Sequence, residues 1–309
     1  MNRFKNILFI ADRQDGLTDA LDRAVSLSQS NAARLTVMDV IPDAGVADYI
    51  KRTYAMDFNM ALREQRLHAL GEFTKPYADA GIPVYTTVSN GILFIEVIRA
   101  VQRNAHDLVI KVAQQDTSLS RALFGSSDMH LLRKCPCPVW IDRLGDRSGY
   151  RRVLAAVDPF DDETGDSQRL ILDLATSFAE RERAELHVVH AWELQGESML
   201  ANGRGRIPRA DLEQLLEATK KHHRQGLDSL LSPYGLDTAA DNVHLLKGRP
   251  AQIIANCARE RDVDLIVMGT LGRVGIVGLL IGNTAEDVLR ETQTAVLAVK
   301  PPAFASPVQ

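Results

Sequence analysis

The chain carries the same order of apolar and polar segments twice. Residues 5–12 (KNILFIAD) form an apolar run that a basic residue opens and an aspartate ends, and residues 151–158 (RRVLAAVD) repeat this design. A continuous apolar run of this length predicts a strand that is buried on both faces. In both halves a segment with apolar spacing of three and four follows, which indicates an amphipathic helix, and a second apolar run comes next, at 34–40 and 185–191. The predicted order is therefore strand, helix, strand in each half.

The later elements also correspond between the halves. Longer helical segments are predicted at 46–80 and 209–231, short strands at 84–88 and 243–246, and a turn that opens a helix at 91–98 and 248–255. Pro250 suits an early position of the second of these helices. The closing thirds keep one register, because Asp107 corresponds to Asp264 and Gly125 to Gly282 at the same offset of 157 (264 − 107 and 282 − 125). A constant offset indicates the duplication of one domain.

The alternation of apolar strands and amphipathic helices predicts an α/β protein. Each half is expected to form a doubly wound, five-stranded parallel sheet of the Rossmann-like type. The polar, glycine-containing segment 143–150 is typical of a linker, so we place one domain at 1–145 and a second at 146–309. Short apolar strands at 138–141 and 295–299 would lie at sheet edges that need covering. We expect these two strands to pair and to form an internal pseudo-dimer.

Composition limits the class of protein. The 309 residues are 45% hydrophobic and 25% charged, as in ordinary folded proteins, and they exceed what one core usually serves. The formal net charge of −4 provides no global field for nucleic acid or anionic lipid. The longest apolar stretch, 274–281, is far shorter than the roughly 20 residues of a bilayer helix, and the first residues lack a signal-peptide core. We therefore expect a cytoplasmic protein with no membrane span and no nucleic-acid partner.

Cysteines and histidines are weaker candidates for chemistry. Cys135 and Cys137 flank a proline but lack the usual C-x2-C zinc spacing, so we expect them to be buried or at a strand edge, and all three cysteines to be free thiols. Five histidines of the second half could form a zinc site by tertiary clustering, although no ligand spacing is present: His187, His190, His222, His223 and His244. The sequence contains no Ser-His-Asp, paired-carboxylate or Gly-Lys-Ser/Thr pattern, so it predicts no hydrolytic machinery.

A glycine-rich loop in the second half is the strongest candidate for a ligand site. Doubly wound sheets bind ligands beyond the carboxyl ends of the strands, where the strand order reverses, which points to Asp158 and to the segment after Met268. Five glycines occupy the fourteen positions 269–282, and a helix-forming run follows. Glycines let backbone N–H groups approach a phosphate, and a helix N-terminus adds unpaired donors. The loop indicates an anion site, although Thr284 and Asp287 could instead form a capping box.

The sequence around this loop closely resembles the universal stress protein family. The matching motif is Gly269-x2-Gly272-x9-Gly282-Asn283-Thr284, with DLIVM before it and AEDVLR and VLAVKP after it. The resemblance spans both halves, and the tandem layout is similar to that of the E-type subgroup. It implies an adenine nucleotide alpha hydrolase-like fold and a site for ATP or another adenine nucleotide.

The resemblance also implies roles for individual residues in the second half. Asp158 would contact the ribose or base region of the nucleotide, and Ala191 and Met268 would flank the base. The phosphates would be surrounded by Gly269, Gly272, Gly282, Asn283 and Thr284. One departure concerns this last group, since ATP-binding members usually place Ser or Thr directly after the third glycine, where this chain has Asn283.

The first half departs further from the family pattern. Val112 and Gln115 replace the first two glycines of the motif, and their side chains should block a close backbone approach to phosphate. We therefore expect this half to be structural or to bind something other than ATP. Lys111 stands where the second half has Met268 and is expected to be a solvated strand-end lysine, with contact to an anion as the alternative.

These observations lead to one functional hypothesis and two alternatives. The leading hypothesis is a cytoplasmic universal stress response protein that binds an adenine nucleotide or related phosphate ligand in its C-terminal domain and acts by binding, with protein partners and a further homo-oligomer left open. A slow nucleotide hydrolase or adenylyl-transfer enzyme is an alternative on fold analogy alone. The other alternative is a module that holds an apolar ligand or partner.

Overall fold

A computed structural model describes the chain at residues 3–12, 16–42, 45, 52–54, 56–113, 125–143, 149–161, 165–203, 205–270, 282–301 and 304–308. The chain divides into two compact units. The first comprises Met1–Gly149 together with Ala295–Gln309, and the second comprises Tyr150–Thr294. Both units contain parallel strands that alternate with helices, which confirms the predicted α/β fold class.

The first unit contains five parallel strands in the order β3-β2-β1-β4-β5. Their bounds are β1 Asn6–Ile10, β2 Arg34–Ile41, β3 Val84–Asn90, β4 Leu108–Val112 and β5 Val139–Asp142. Consecutive residues of β1 and β4 are buried, so both faces of the sheet are covered. This burial explains why these strands are largely apolar and show no polar–apolar alternation. The strand order reverses between β1 and β4, which is the topological switch point of a doubly wound sheet.

The helices of the first unit follow the predicted order but differ in one boundary. Their bounds are α1 Thr18–Asn31, α2 Phe58–Asp79, α3 Leu93–Asn104 and α4 Ser126–Lys134. The sequence pattern predicted one helical segment from residue 46; residues 52–54 are helical, but residues 56–57 are not, and α2 begins at Phe58. Asp57 is its N-cap and accepts a hydrogen bond from the Met60 N–H at 3.1 Å, which satisfies a donor of the first turn. Residues 46–51 and 55 lie outside the described residues.

The second unit repeats this arrangement with four parallel strands in the order β9-β6-β7-β8. The strands are β6 Arg152–Ala156, β7 Glu185–Trp192, β8 Val243–Lys247 and β9 Leu265–Gly269. The helices are α5 Asp166–Glu182, α6 Glu197–Asn202, α7 Arg209–Leu231, α8 Pro250–Glu260 and α9 Asn283–Glu291. Helix α8 begins at Pro250 as predicted, and the sequence analysis missed α6 because six residues are too few to show a helical period.

The strand that ends the second sequence repeat, β10 at Ala295–Val299, belongs to the first unit. It pairs antiparallel with β5, with Leu297 opposite Trp140. All five residues of β10 are buried. The predicted pairing of the two edge strands is confirmed, and it leaves β5 without an exposed edge on this side. Across the residues that the structure describes, every helix is too short or too polar to cross a membrane.

Candidate functional site

The carboxyl edge of the second unit brings together residues that the sequence analysis assigned to a ligand site. Strand β6 lies between β7 and β9, and Ala156 at its end pairs with Met268 of β9. Asp158 follows β6, Ala191 is the last residue but one of β7, and Gly269 ends β9. Because neighbouring parallel strands end at the same edge, these residues share one side of the sheet at its topological switch point.

Asp158 lies in a turn that hydrogen bonds hold in place. Its Oδ1 accepts a hydrogen bond from the Phe160 N–H at 3.1 Å, and its own N–H donates to Gln168 Oε1 at 2.9 Å. Gln168, in the first turn of α5, is buried, and its Nε2 donates to Asp161 Oδ2 at 3.2 Å. A buried amide that both donates and accepts fixes the turn in one geometry. The turn therefore presents a partly exposed Asp158 carboxylate at the carboxyl edge of the sheet.

Helix α9 begins at the same edge. Gly282 is its N-cap, and the Gly282 N–H donates to the Thr270 carbonyl oxygen at 2.7 Å, which ties the start of the helix to the end of β9. Asn283 and Thr284 are its first two residues, and both are exposed. The capping-box alternative is wrong, because Thr284 lies inside the helix and not at the N-cap. The N–H groups of the first turn and the helix dipole therefore favour an anion here. Gly272 lies outside the described residues.

Aromatic side chains cover the edge beside the carboxylate turn. Phe160 stacks on His222 of α7 with centroids 4.6 Å apart and meets His223 edge-on at 5.1 Å. His190 of β7 donates its Nδ1–H to the Val157 carbonyl oxygen at 3.0 Å, because a carbonyl only accepts, and its Nε2 lies 2.8 Å from His223 Nδ1. His190, which itself contacts His223, thus holds the backbone at Val157, one residue before Asp158.

A second histidine pair lies elsewhere in the same sheet. His187 Nδ1 is 3.1 Å from His244 Nε2. Burial lowers the pKa of His244 to about 4 and also lowers the pKa of His187. The five histidines therefore divide into two groups, and within the described part of the chain no set of three or more His, Cys, Asp or Glu side chains is placed to hold a metal. The clustered zinc site considered above does not form among these residues.

The corresponding edge of the first unit is filled by a buried ion triad. Lys111 of β4 is fully buried, and its Nζ lies 3.0 Å from Asp12 Oδ2 and 2.8 Å from Asp128 Oδ1. The same Nζ donates to the Val112 carbonyl oxygen at 3.1 Å. Asp128 belongs to the first turn of α4, where its Oδ2 accepts from the Gly125 N–H at 3.1 Å. Burial raises the pKa of Asp12, the Lys111 ammonium opposes this rise, and the Asp128 carboxylate adds to it.

The structure corrects the interpretation of Lys111. The expected solvated strand-end lysine is wrong, because the side chain is fully buried. Lys111 does contact anions, as the alternative proposed, but these anions are two carboxylates of the protein itself. At the repeat offset of 157, Lys111 and Asp128 correspond to Met268 and Ala285 (111 + 157 and 128 + 157), which are buried apolar residues. A charged pair in one repeat against an apolar pair in the other is the sequence signal that could have revealed the triad.

Each repeat thus places an aspartate after its first strand and a helix N-terminus after its fourth, at the switch point of a doubly wound sheet. This arrangement defines a tandem α/β protein built from two copies of one doubly wound fold. The chain belongs to the Universal stress protein family, which it matches over residues 3–143 and again over residues 149–300.

Relatives of known name share the full tandem length. Universal stress protein E of Escherichia coli (strain K12) is 28% identical over 319 aligned positions, which cover 100% of this chain and 98% of that protein. The Universal stress protein E homolog of Haemophilus influenzae is 28% identical over 311 positions, covering 97% of this chain and 98% of the homolog. These matches confirm the resemblance to the tandem E-type subgroup.

Solved structures show the same fold. A functionally unknown protein from Pseudomonas aeruginosa PAO1 superposes with a TM-score of 0.74 at 24% identity, covering 97% of this chain and 94% of the other. A universal stress protein from Archaeoglobus fulgidus DSM 4304 gives a TM-score of 0.63 at 18% identity, covering 96% and 99%. At these identities the likeness concerns the fold alone.

Proposed function

We propose that this universal stress protein binds an adenine nucleotide, or a related phosphate ligand, at the carboxyl edge of its second domain and acts by binding instead of catalysis. The observation that carries the proposal is the difference between the two repeats. In the first, the Lys111 ammonium and the Asp128 carboxylate occupy the edge beside the helix N-terminus. In the second, the corresponding residues are Met268 and Ala285, neither of which carries a charge.

The phosphate end of the proposed site depends on helix α9. Its first turn offers backbone donors, and its N-cap residue Gly282 has a β-region backbone that any ligand approaches without meeting a Cβ. In the first repeat the equivalent helix N-terminus already has an acceptor, because Asp128 Oδ2 binds the Gly125 N–H. The second domain has Ala285 at this position and therefore no carboxylate there. The Gly282 N–H is bound to the Thr270 carbonyl oxygen, so the N–H groups of Asn283 and Thr284 in the first turn are the donors proposed for a ligand.

The base and ribose end of the proposed site depends on the turn after β6. Asp158 supplies a carboxylate that accepts hydrogen bonds from ribose hydroxyls or an exocyclic amine. Ala191 and Met268 are the apolar residues that would flank a planar base, and Phe160, two residues after Asp158, adds an aromatic ring at the turn. A nucleotide would bind between this turn and α9, and the fraction of domains occupied would follow the cellular concentration of the nucleotide or phosphate. Such a response suits a regulatory or protective role in stress.

Calorimetric titration of the full chain with ATP and with AMP, each with and without Mg²⁺, tests the proposal. We expect dissociation constants on the order of micromolar. Gly282→Val should abolish binding, because its bulk obstructs the helix N-terminus, and Gly125→Val is the matched control in the first repeat. The φ angles of −73° at Gly282 and −70° at Gly125 accept a valine, so both variants add bulk without backbone strain.

The pair of variants makes the outcomes distinct. Loss of binding in Gly282→Val with retention in Gly125→Val supports the assigned site. The absence of heat with every nucleotide, or a loss confined to Gly125→Val, would overturn the proposal. Release of phosphate or AMP during the titration would show that the site catalyses a reaction and does not only bind.

A further inference from the structure

A pair of cysteines lies directly after α4 in the first unit, away from the ligand edges described above. The Sγ atoms of Cys135 and Cys137 are 3.6 Å apart, within hydrogen-bond distance for sulfur. Cys135 is fully buried and Cys137 is 8% exposed. Their positions confirm the expected burial but add a close thiol–thiol contact, which residue spacing alone did not predict.

A buried lysine lies beside this pair. Lys300, one residue beyond β10, is 5% exposed, and its Nζ donates to the Arg133 carbonyl oxygen at 3.2 Å, two residues before Cys135. The Phe304 ring covers the ammonium, with its centroid 4.8 Å from Nζ. All of these residues belong to the first unit.

We propose that Cys135 and Cys137 form a redox-active dithiol that a small hydroperoxide converts to a disulfide, with Lys300 as the proton acceptor that activates Cys135. The two sulfurs are already in contact, so closure requires side-chain movement and not a rearrangement of domains. The Arg133 carbonyl oxygen holds the Lys300 ammonium two residues before Cys135, and a lysine near a thiol favours its thiolate form. The burial restricts the oxidant to a small molecule such as hydrogen peroxide.

The reaction balances without a cofactor. The Lys300 amine accepts the proton of the Cys135 thiol, and the thiolate attacks one oxygen of hydrogen peroxide, so that an S–O bond forms and the O–O bond breaks. Lys300 returns the proton to the departing hydroxide, which leaves as water. The Cys137 sulfur then attacks the sulfenic sulfur of Cys135, the S–O bond breaks, and hydroxide takes the Cys137 proton. Two thiols and one peroxide thus give one disulfide and two waters.

The electrostatics of the pocket agree with these roles. Burial lowers the pKa of Lys300 to about 7, and the adjacent Cys135 opposes this shift, so the amine is partly neutral at physiological pH. The pKa of Cys137 is raised well above its usual value because its thiol donates to Cys135, is buried, and faces negative charge at Cys135 and Asp107. Cys137 therefore stays protonated while Cys135 reacts. Cys135 is the attacking thiol, and Cys137 is the resolving thiol.

Intact-mass measurement of the full chain after treatment with hydrogen peroxide tests the proposal. We expect a loss of two mass units that a phosphine reductant reverses. In Cys137→Ser the product should instead gain sixteen or more units, because the sulfenic acid has no thiol to capture it. Cys257→Ser is the matched control, since Cys257 is a buried thiol of the second unit without this partner, and it should react as the wild type does.

Lys300→Met separates activation from folding. Methionine replaces a buried cation with an apolar chain of similar length, so the fold should be kept, as an unchanged unfolding transition would show. The oxidation rate of the wild type should rise with an inflection near pH 7, because burial lowers the pKa of Lys300 to about 7. In Lys300→Met we expect a rate at least about tenfold lower at pH 7.5 and an inflection moved toward that of an unassisted thiol.

Three results would overturn the proposal. These are a wild-type product that gains oxygen without losing two mass units, a Cys257→Ser variant that no longer forms the disulfide, and an unchanged pH profile in folded Lys300→Met. The last result would leave Lys300 as a packing residue only.

Discussion

Replacing Lys111 with methionine is expected to destabilise the first unit and to leave the second unchanged. The substitution removes the ammonium between Asp12 and Asp128, whose side chains are only 7% and 0% exposed. Both carboxylates would then be buried without their cation and close to one another. Removing one partner of a buried ion pair typically costs about 3–5 kcal/mol, because the remaining charge is left uncompensated.

The protonation equilibrium gives an independent bound on this cost. A buried carboxylate that has lost its cation can become neutral only by taking up a proton. The ordinary pKa of an aspartate is 3.8. At pH 7 this costs about 1.36 × (7 − 3.8), or about 4.4 kcal/mol, and at pH 5 about 1.36 × (5 − 3.8), or about 1.6 kcal/mol. We therefore expect Lys111→Met to cost about 4 kcal/mol at pH 7 and about 2–3 kcal/mol less at pH 5.

Urea unfolding followed by tryptophan fluorescence measures the effect in each unit separately. The chain contains two tryptophans, Trp140 in β5 of the first unit and Trp192 in β7 of the second. Trp192→Phe and Trp140→Phe backgrounds therefore report one unit each. With a urea dependence of about 2 kcal/mol per M, a loss of about 4 kcal/mol lowers the midpoint of the Trp140 transition by about 2 M.

A double variant provides the control. Lys111→Met with Asp128→Ala installs the apolar pair that the second repeat has at these positions and should recover at least about 2 kcal/mol of the loss. The coupling between the two changes then measures the ion pair itself. The reasoning fails if Lys111→Met costs less than about 1 kcal/mol at pH 7, if the cost does not fall at pH 5, or if the double variant is no more stable than the single one.

Two further predictions concern helix glycines and a histidine pair. Gly226→Ala should destabilise the second unit by about 1–2 kcal/mol in urea unfolding, because the added Cβ would lie 2.5 Å from Phe160 Cζ, whereas Gly71→Ala, with no atom within 4 Å, should stabilise the first unit by about 0.5–1 kcal/mol. A stabilised Gly226→Ala would refute that contact. Because the pKa of His244 is lowered from 6.5 to about 4, the unfolded chain binds more protons between these values, so the free energy of unfolding should rise with pH by up to about 1.4 kcal/mol per unit across this window and level off above it. His244→Gln should flatten this dependence in unfolding curves collected from pH 4 to 7, and an equally steep curve in the variant would assign it to other groups.

The sequence predicted the sheet well because the relevant signal is local. Strands such as β1 and β6 are apolar at every residue after the first, as burial on both faces requires, and the constant offset between repeats located the equivalent edges. The start of α2 was less predictable, since residues 46–57 mix apolar and polar side chains that fit a helical period as well as a loop. The cap at Asp57 decides the boundary, and a single capping residue carries little weight against a long periodic pattern.

The location of the candidate site residues in the fold was predictable, but their surroundings were only partly so. Asp158, Gly269 and Gly282 could be placed because chain order and strand order together fix the carboxyl edge. The burial of Lys111 could not be read from its neighbours, because its partners Asp12 and Asp128 come from a strand end and a helix that are distant in sequence. Lysine is usually exposed, so a local argument favours the wrong environment wherever tertiary structure supplies two carboxylates.

Strand β10 also sets an order of events during synthesis. The first unit consists of residues 1–149 and 295–309, so its last strand leaves the ribosome only after residues 150–294 have been translated. At about 5–20 residues per second, these 145 residues (294 − 150 + 1) take about 7–30 s. During that time β5 has an open edge, which is the kind of surface that invites pairing with another chain. A nascent chain that stops before residue 295 therefore carries a first unit in which the edge of β5 lacks its partner β10.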